Sequence, residues 1–272
     1  MFSKRLTGLA TLLVLSILVG SLALVWANGN ETLGTPSITI EEGSGYVADG
    51  TGLFTQPSAI NINVPGTSVV QALLYWGDRF NTKEGTNPLG DDTITVNGSS
   101  VTGEEIGFAP PIGGHDVGCA TTGTGTIAGV AYRADVTDLI SLGGNVLTIS
   151  DFDTDCSGRD DGAALVVIYN DGSTAEIDIR DGADVAYTLS TVPAAQVTVP
   201  QTYIFNAESA DRQATLTLLV SDVQWGDLGD GGGERFRTSS IQVTVDGANA
   251  TTNLVHLGSN TSIVYATSTF PW

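Results

Sequence analysis

Residues 145–182, NVLTISDFDTDCSGRDDGAALVVIYNDGSTAEIDIRDG, decide the fold class. In the first strand, Val146–Ser150, Leu147 and Ile149 share a face opposite Thr148 and Ser150, which predicts a strand with one buried face. Ala163–Tyr169 is apolar at every position, which predicts a strand covered on both faces. Asn170–Ser173 contains Asp-Gly and predicts a tight turn into a second alternating strand at Ala175–Arg180.

Further strand patterns recur along the chain and are separated by Gly, Asn, Asp, Pro and Ser clusters. They are Ser37–Glu41, Ile60–Val64, Val69–Trp76, Thr93–Asn97, Thr126–Tyr132, Val185–Leu189, Val197–Phe205, Ala214–Val220, Ser240–Val245 and Ser262–Thr267. We therefore predict an all-β sandwich of jelly-roll type with about 13 strands, as one large domain or two related halves. The expected boundaries are 1–27 for a signal peptide, 28–36 for a flexible leader, 37–205 for the main sandwich and 206–272 for the second half.

The N-terminus has the features of an export signal. Lys4 and Arg5 precede the uncharged apolar run Leu6–Val25, and small residues that fit a cleavage site follow. An uncleaved anchor is the alternative, because about 20 apolar residues span a bilayer. No second run of that length follows, so we expect a secreted protein, extracellular or at the cell surface, with no membrane span after cleavage.

The charge balance is strongly acidic. The chain has 30 acidic and 10 basic residues, a net charge of −20, and loss of Lys4 and Arg5 would make it −22. Such a field repels a phosphate backbone, so nucleic acid is not an expected partner. The composition suits either a saline or a calcium-rich environment, where screening or bound cations offset self-repulsion.

The chain has two cysteines, Cys119 and Cys156. Export makes oxidation favourable, so we predict a disulfide between them, with two buried free thiols as the alternative. The bond would close a loop of about 37 residues and stabilise the fold by about 4 kcal/mol.

Five acidic residues form the candidate metal site: Asp151, Asp153, Asp155, Asp160 and Asp161. Carboxylates at alternating positions of a turning backbone are ligands that Ca²⁺ prefers. The pattern departs from an EF-hand loop, because it has a cysteine at the glycine position and lacks the closing glutamate. A solvated acidic loop is the alternative.

A Trp-Gly-Asp pattern occurs twice. Trp76 lies 22 positions before Gly98, and Trp225 lies 22 positions before Gly247, with an alternating strand between them in both cases. This spacing suggests an internal repeat, with coincidence as the alternative. Both tryptophans are candidates for stacking on a glycan, although a tryptophan at a strand end more often packs in a core.

One short helix is predicted at Val136–Leu142, capped by Asp135 and ended by Gly143. The surrounding stretch YRADVTDLISLGGNVLTI resembles the DVT-x-L segment of jelly-roll, galactose-binding-like sandwiches. In those folds such a turn lets the chain cross between sheets.

VVQALLYWGD, DTITVNG and GAALVVIYNDGSTAEIDIRDGAD together resemble β-sandwich modules of secreted bacterial and archaeal cell-surface proteins. The resemblance covers residues 69–187 well and the C-terminal third loosely. It implies a surface location and a structural or adhesive role.

Catalysis finds little support in the sequence. His115 and His256 are the only histidines, and no nucleophile elbow, HExxH motif or P-loop accompanies them. We therefore expect that the protein is not an enzyme. Separately, four asparagines match the N-glycosylation pattern: Asn30, Asn97, Asn249 and Asn260.

The expected function is that of a non-catalytic, exported subunit of a cell surface or extracellular matrix. Its expected partners are itself or other surface subunits, with glycans as further candidates. We expect filaments formed by strand exchange, in which Ser262–Trp272 or the leader completes a neighbour's sheet. The alternative function is that of a carbohydrate-binding module.

Overall fold

Two antiparallel sheets packed face to face dominate the fold. The computed structural model describes residues 33–53, 55–81, 91–112, 127–152, 158–184, 198–205, 213–220, 241–245, 248–253 and 264–271. The strands are β1 (Gly45–Gly52), β2 (Ser58–Val64), β3 (Ser68–Asn81), β4 (Thr93–Val96), β5 (Ser99–Thr102), β6 (Glu104–Ile112), β7 (Ile127–Asp135), β8 (Gly143–Ser150), β9 (Gly158–Asn170), β10 (Gln213–Val220), β11 (Ile241–Val245), β12 (Ala248–Asn253) and β13 (Val264–Pro271). A 3-10 helix, Thr137–Leu139, lies between β7 and β8.

The sandwich is built from β1 to β9. Its five-stranded sheet has the order β1-β9-β3-β7-β6, and its four-stranded sheet has the order β2-β8-β4-β5. The antiparallel pairs are nested, because β1 pairs with β9, β2 with β8, β3 with β7, and β4 with β5. A long hairpin rolled into two layers gives this arrangement, which is that of a jelly roll. The all-β sandwich is confirmed, although nine described strands build it rather than about 13.

The main core lies between the two sheets. Leu74 and Trp76 of β3 meet Ile60 of β2 and Ile149 of β8 there, and each of these side chains is at most 2% exposed. Side chains alternate between two faces along a strand, so the neighbouring residues of β3 and β9 point to the outer face of the five-stranded sheet.

That outer face carries a second apolar cluster. Leu73, Tyr75 and Val166 are buried there, and Ile38 and Ile179 pack against them. Residues of β9 therefore face two apolar clusters in alternation, and Ala163–Ile168 is no more than 9% exposed at any position. The prediction of a strand covered on both faces is confirmed.

Two segments predicted as strands form this outer cover without strand structure. Residues 33–42 and 173–180 lie outside the sheets, so the predictions of strands at Ser37–Glu41 and Ala175–Arg180 are wrong. The reason is that β9 already pairs with β1 on one edge and β3 on the other, so the turn after Asn170 leads to no third ladder. The chain crosses the outer face instead.

Other local predictions also change. Residues 198–205 contain no strand, and Val185–Leu189 lies outside the described residues. The predicted helix at Val136–Leu142 is reduced to the 3-10 helix, although Asp135 Oδ1 does accept from the Thr137 backbone N–H at 2.9 Å. This helix carries the chain from the five-stranded sheet to the four-stranded sheet.

The C-terminal strands form two small sheets. β10 pairs with β13, and β11 pairs with β12. Leu219 of β10 packs against the outer cluster, and Thr217 Oγ1 lies 2.8 Å from the Tyr46 hydroxyl of β1. The division of the chain at residue 206 stays a prediction.

Candidate functional site

The predicted calcium loop is shorter than expected. β9 begins at Gly158, so Asp160 and Asp161 lie in a strand rather than in the loop. Asp160 is the register partner of Asp78 in β3, and Asp161 lies at an irregularity of this pairing. Asp153 and Asp155 lie outside the described residues.

Asp151 is the remaining acid of this set. It follows β8 with a φ of 65°, and its Oδ2 accepts a hydrogen bond from Thr95 Oγ1 at 2.5 Å. The carboxylate is thereby held against β4. In the part of the chain that the structure describes, no group of three or more His, Cys, Asp or Glu residues is placed to hold a metal ion. Calcium binding stays a prediction.

Several predicted site residues cannot be placed, because they lie outside the described ranges: Cys119, Cys156, Trp225, Asn30 and Asn260. The disulfide therefore stays a prediction, as does the second copy of the Trp-Gly-Asp repeat.

Trp76 is a core residue. Its side chain is 2% exposed and its ring stacks on Tyr132 at a centroid distance of 5.8 Å. Its Nε1 donates to the Asp91 carbonyl at 2.8 Å, which ties the segment before β4 to the sandwich. This burial leaves no ring face open for a sugar, so the contacts favour the core-packing alternative.

Two candidate glycosylation sites are described. Asn97 opens the β4–β5 turn with a φ of 49°, and its side-chain oxygen accepts from the Thr148 N–H at 2.8 Å. Asn249 lies in β12. Modification of either residue stays a prediction.

The sequence did not single out the most buried charge among the described residues, Arg133 of β7. Its guanidinium, 2% exposed, binds Asp181 at 2.5 Å and Glu104 at 3.0 Å. It also donates to Ser37 Oγ at 2.9 Å. A buried cation needs such partners, because desolvation without them is costly. Arg133 therefore connects β6 and β7 with the two stretches of chain on the outer face that contain Ser37 and Asp181.

The position of Arg133 left one signal in the sequence. It is a single charge between the apolar residues Tyr132 and Ala134, both of which face the inner core. Alternation places Arg133 on the opposite face of β7. The sequence alone therefore predicts an exposed side chain, because it does not show that other segments of the chain cover this face.

Tyr75 lies beside this network and is 9% exposed. Within the described residues its hydroxyl meets no hydrogen-bond partner at normal geometry, although Asp181 is close enough to interact electrostatically. Burial, and then the negative charge of Asp181, raise the pKa of Tyr75 well above its usual value of 10.0. The hydroxyl therefore stays protonated, and the cluster has the features of a structural site.

The outer face of the four-stranded sheet is the most distinctive exposed surface. Strand register places these side chains on it: Ala59, Asn61, Asn63, Gly144, Val146, Thr148, Ser150, Thr93, Thr95, Ser100 and Thr102. None of them carries a formal charge, and Val146 is 58% exposed. Apart from the Asp151 carboxylate, which accepts a hydrogen bond from Thr95 Oγ1, this surface carries no charge, which is unexpected on a chain of net charge −20. We call it the neutral face.

Within the described ranges, no helix has the length and apolarity needed to cross a membrane. Residues 34–270 match a family described as "Protein of unknown function (DUF3344)". Neither the curated proteins nor the solved structures include a significant match to the chain.

Proposed function

The chain belongs to the DUF3344 family, and we propose that it is a non-catalytic, exported structural or adhesive subunit of a cell surface or extracellular matrix. The observation that carries the proposal is the neutral face. A flat group of hydroxyl, amide and small apolar side chains suits contact with another surface more than it suits chemistry. A disulfide between Cys119 and Cys156 and a Ca²⁺ ion bound near Asp151 are part of the proposal.

Charge explains why self-association would use this face. Two like charges 4 Å apart repel by about 1 kcal/mol in water and about 4 kcal/mol at a protein surface. Copies with a net charge of −20 therefore oppose one another at most orientations. Contact between two neutral faces reduces this repulsion mainly to that between the Asp151 carboxylates, which bound cations or high salt would weaken further.

Strand exchange is the proposed route from contact to filaments. In the structure β13 pairs with β10 of its own chain. The leader is also held within the chain, because Gly34 and Asp181 exchange backbone hydrogen bonds of 2.9 and 3.0 Å. The same β10–β13 pairing made between copies would be a domain swap, which needs no new type of contact.

The test is a charge placed on the neutral face. We expect the wild-type protein to self-associate with rising concentration in sedimentation velocity, and Val146→Asp to shift the distribution to monomer. Ile204→Asp is the matched control, because Ile204 is also an exposed aliphatic residue, at 86%, and lies outside the neutral face. A wild-type protein that stays monomeric in high salt and in Ca²⁺, or equal effects of both variants, would refute the proposal.

Deletion of Ser262–Trp272 tests the exchange step separately. The deletion should remove filaments and leave a soluble subunit, whereas filaments of unchanged length would contradict strand exchange.

A carbohydrate-binding module is the second candidate. The hydroxyl and amide groups of the neutral face favour it, because they match the hydrogen-bonding groups of a sugar. Retardation in a polysaccharide gel that Trp225→Ala abolishes would support this candidate. Retardation that persists in that variant but is lost in Val146→Asp would place the sugar on the neutral face.

A further inference from the structure

A groove opens where the two sheets separate at one end of the sandwich. β5 and β6 form one run of chain that bends at Gly103. The pairing of β6 with β7 ends at the register pair Glu104 and Arg133, whereas β5 lies in the other sheet and pairs with β4. Ala134–Val136 therefore continues without β6 beside it, and a groove of about 830 Å³ lies between it and β5. This volume suits a ligand of several residues.

One side of the groove is an open strand edge. Asn97 and Gly98 both have positive φ, 49° and 78°, which identifies the two-residue turn that favours a tight hairpin. In such a hairpin the residues flanking the turn, Val96 and Ser99, form a hydrogen-bonded pair, and the pairs then alternate. The backbone N–H and C=O groups of Ser100 and Thr102 consequently point away from β4. β5 is the last strand of its sheet in the described part of the chain.

The groove walls are acidic. Glu41, Asp135 and Asp138 line it, and no Lys, Arg or His residue is among the lining residues. Asp135 is held in place because its Oδ1 accepts from the Thr137 hydroxyl at 2.6 Å. Leu139, which is 41% exposed, adds an apolar contact at the rim.

We propose that this groove binds an extended, lysine- or arginine-bearing segment of a partner polypeptide, which adds a strand to the open edge of β5. The open edge supplies backbone hydrogen bonds, and the carboxylates select positive side chains. A strand rises about 3.3 Å per residue, so the four residues of β5 match a core segment of about four to six residues. The two segments proposed for strand exchange, Asn28–Thr35 and Ser262–Trp272, contain no Lys or Arg, so they lack the positive side chains that this groove would select.

This site uses the open backbone edge of β5, whereas the proposed self-association uses the outer surface of the sheet. Ser100 and Thr102 belong to both, but Glu41 and Asp138 lie outside the neutral face, so their variants test the groove separately. The probe is a fluorescein-labelled peptide, KVKTKVKT, added to the full mature protein. We expect saturable binding in fluorescence anisotropy that weakens as NaCl is raised, because exposed charges are screened. The control peptides are EVETEVET and a KVKTKVKT peptide with N-methyl groups on alternate backbone amides. Both should bind at least ten-fold more weakly.

Variants of the groove give the matching test on the protein. Glu41→Gln and Asp138→Asn should each weaken peptide binding about two- to five-fold, as expected for an exposed ion pair. Glu42→Gln is the matched control, because Glu42 is the exposed neighbour of Glu41 and does not line the groove. Ser100→Pro removes the N–H that points into the groove, and an edge strand tolerates proline.

Four outcomes would overturn the proposal. They are no binding of the lysine peptide at low salt, equal binding of the glutamate peptide, equal binding of the N-methylated peptide, and displacement of the peptide by a neutral polysaccharide. The peptide controls decide the question even if Ser100→Pro fails to fold.

Discussion

Replacement of Arg133 by methionine should destabilise the protein more than removal of any of its exposed partners. Methionine keeps the length and apolar volume of the arginine stem but removes the guanidinium. Asp181, whose side chain is 7% exposed, then keeps a buried negative charge without its counter-ion. The fold also loses the contact to Ser37, which holds the N-terminal segment on the outer face.

The expected magnitudes follow from burial. Breaking a buried ion pair by removal of one partner costs about 3–5 kcal/mol, because the other charge stays desolvated. Glu104 is 59% exposed, so Glu104→Gln should cost no more than about 1 kcal/mol. The double variant Arg133→Met/Asp181→Leu removes both charges and should recover to within about 2 kcal/mol of the wild type.

The measurement is unfolding by urea and by heat of the wild type, Arg133→Met, Asp181→Leu, Glu104→Gln and the double variant. For a chain of this size a loss of 3–5 kcal/mol corresponds to a fall in midpoint temperature of about 6–20 °C. The free energies should be strongly non-additive, because the two side chains form one interaction. Additive single-variant effects, or a cost for Arg133→Met as small as that for Glu104→Gln, would refute the assignment of a buried network.

Three further predictions concern other sites. The free energy of unfolding should fall as pH rises above about 10. The unfolded chain loses the Tyr75 proton there, whereas the raised pKa of Tyr75 keeps the proton on the folded protein. Unfolding experiments at a series of pH values should show a smaller fall for Tyr75→Phe than for the wild type. Gly103→Ala should cost about 1–3 kcal/mol in thermal melting, because its Cβ would lie 2.5 Å from the Trp76 ring, whereas Gly144→Ala, with open space around it, should cost far less. If the segment that begins at Asp151 binds Ca²⁺, millimolar Ca²⁺ should raise the melting temperature, and a chelator should reverse that rise. An equal rise with NaCl alone would contradict binding of a specific Ca²⁺ ion.

The sequence predicted the features that depend on local pattern. Ala163–Tyr169 is apolar at each position, so a strand covered on both faces followed from its composition, and β9 lies there. The strands at Ile60–Val64 and Ala214–Val220 also lie within one or two residues of β2 and β10. In these stretches β-propensity, period and turn residues all agree.

The wrongly predicted strand at Ala175–Arg180 and the missed strands β1 and β6 have different physical causes, and the first of these is competition for strand edges. The turn after Asn170 has the residues of a hairpin. The two edges of β9 are nevertheless occupied by β1 and β3, which lie far away in sequence. β1 was missed because its glycines and aspartate lower its strand propensity, and burial against β9 overrides that weakness. β6 was missed because it contains two prolines, which an edge strand tolerates.

The candidate sites were harder to predict because they depend on distant segments. Arg133, Asp181, Glu104 and Ser37 lie in four separate parts of the chain, and no spacing in the sequence connects them. The groove beside β5 depends on the bend at Gly103, where one run of chain passes from one sheet to the other. Local patterns do not contain this information.

The nested pairing of the strands sets the order in which the protein can fold. Among the described strands β1 pairs with β9 alone, with Gly45 opposite Tyr169. A chain synthesised N-terminus first therefore keeps its earliest sandwich strand unpaired until the last one is made. Pairings this distant in sequence are reached slowly, on a scale of milliseconds to seconds in small β-proteins. Until then the apolar side chains of β1 to β3 stay exposed to solvent, and the chain's strong negative charge keeps neighbouring unfolded copies apart.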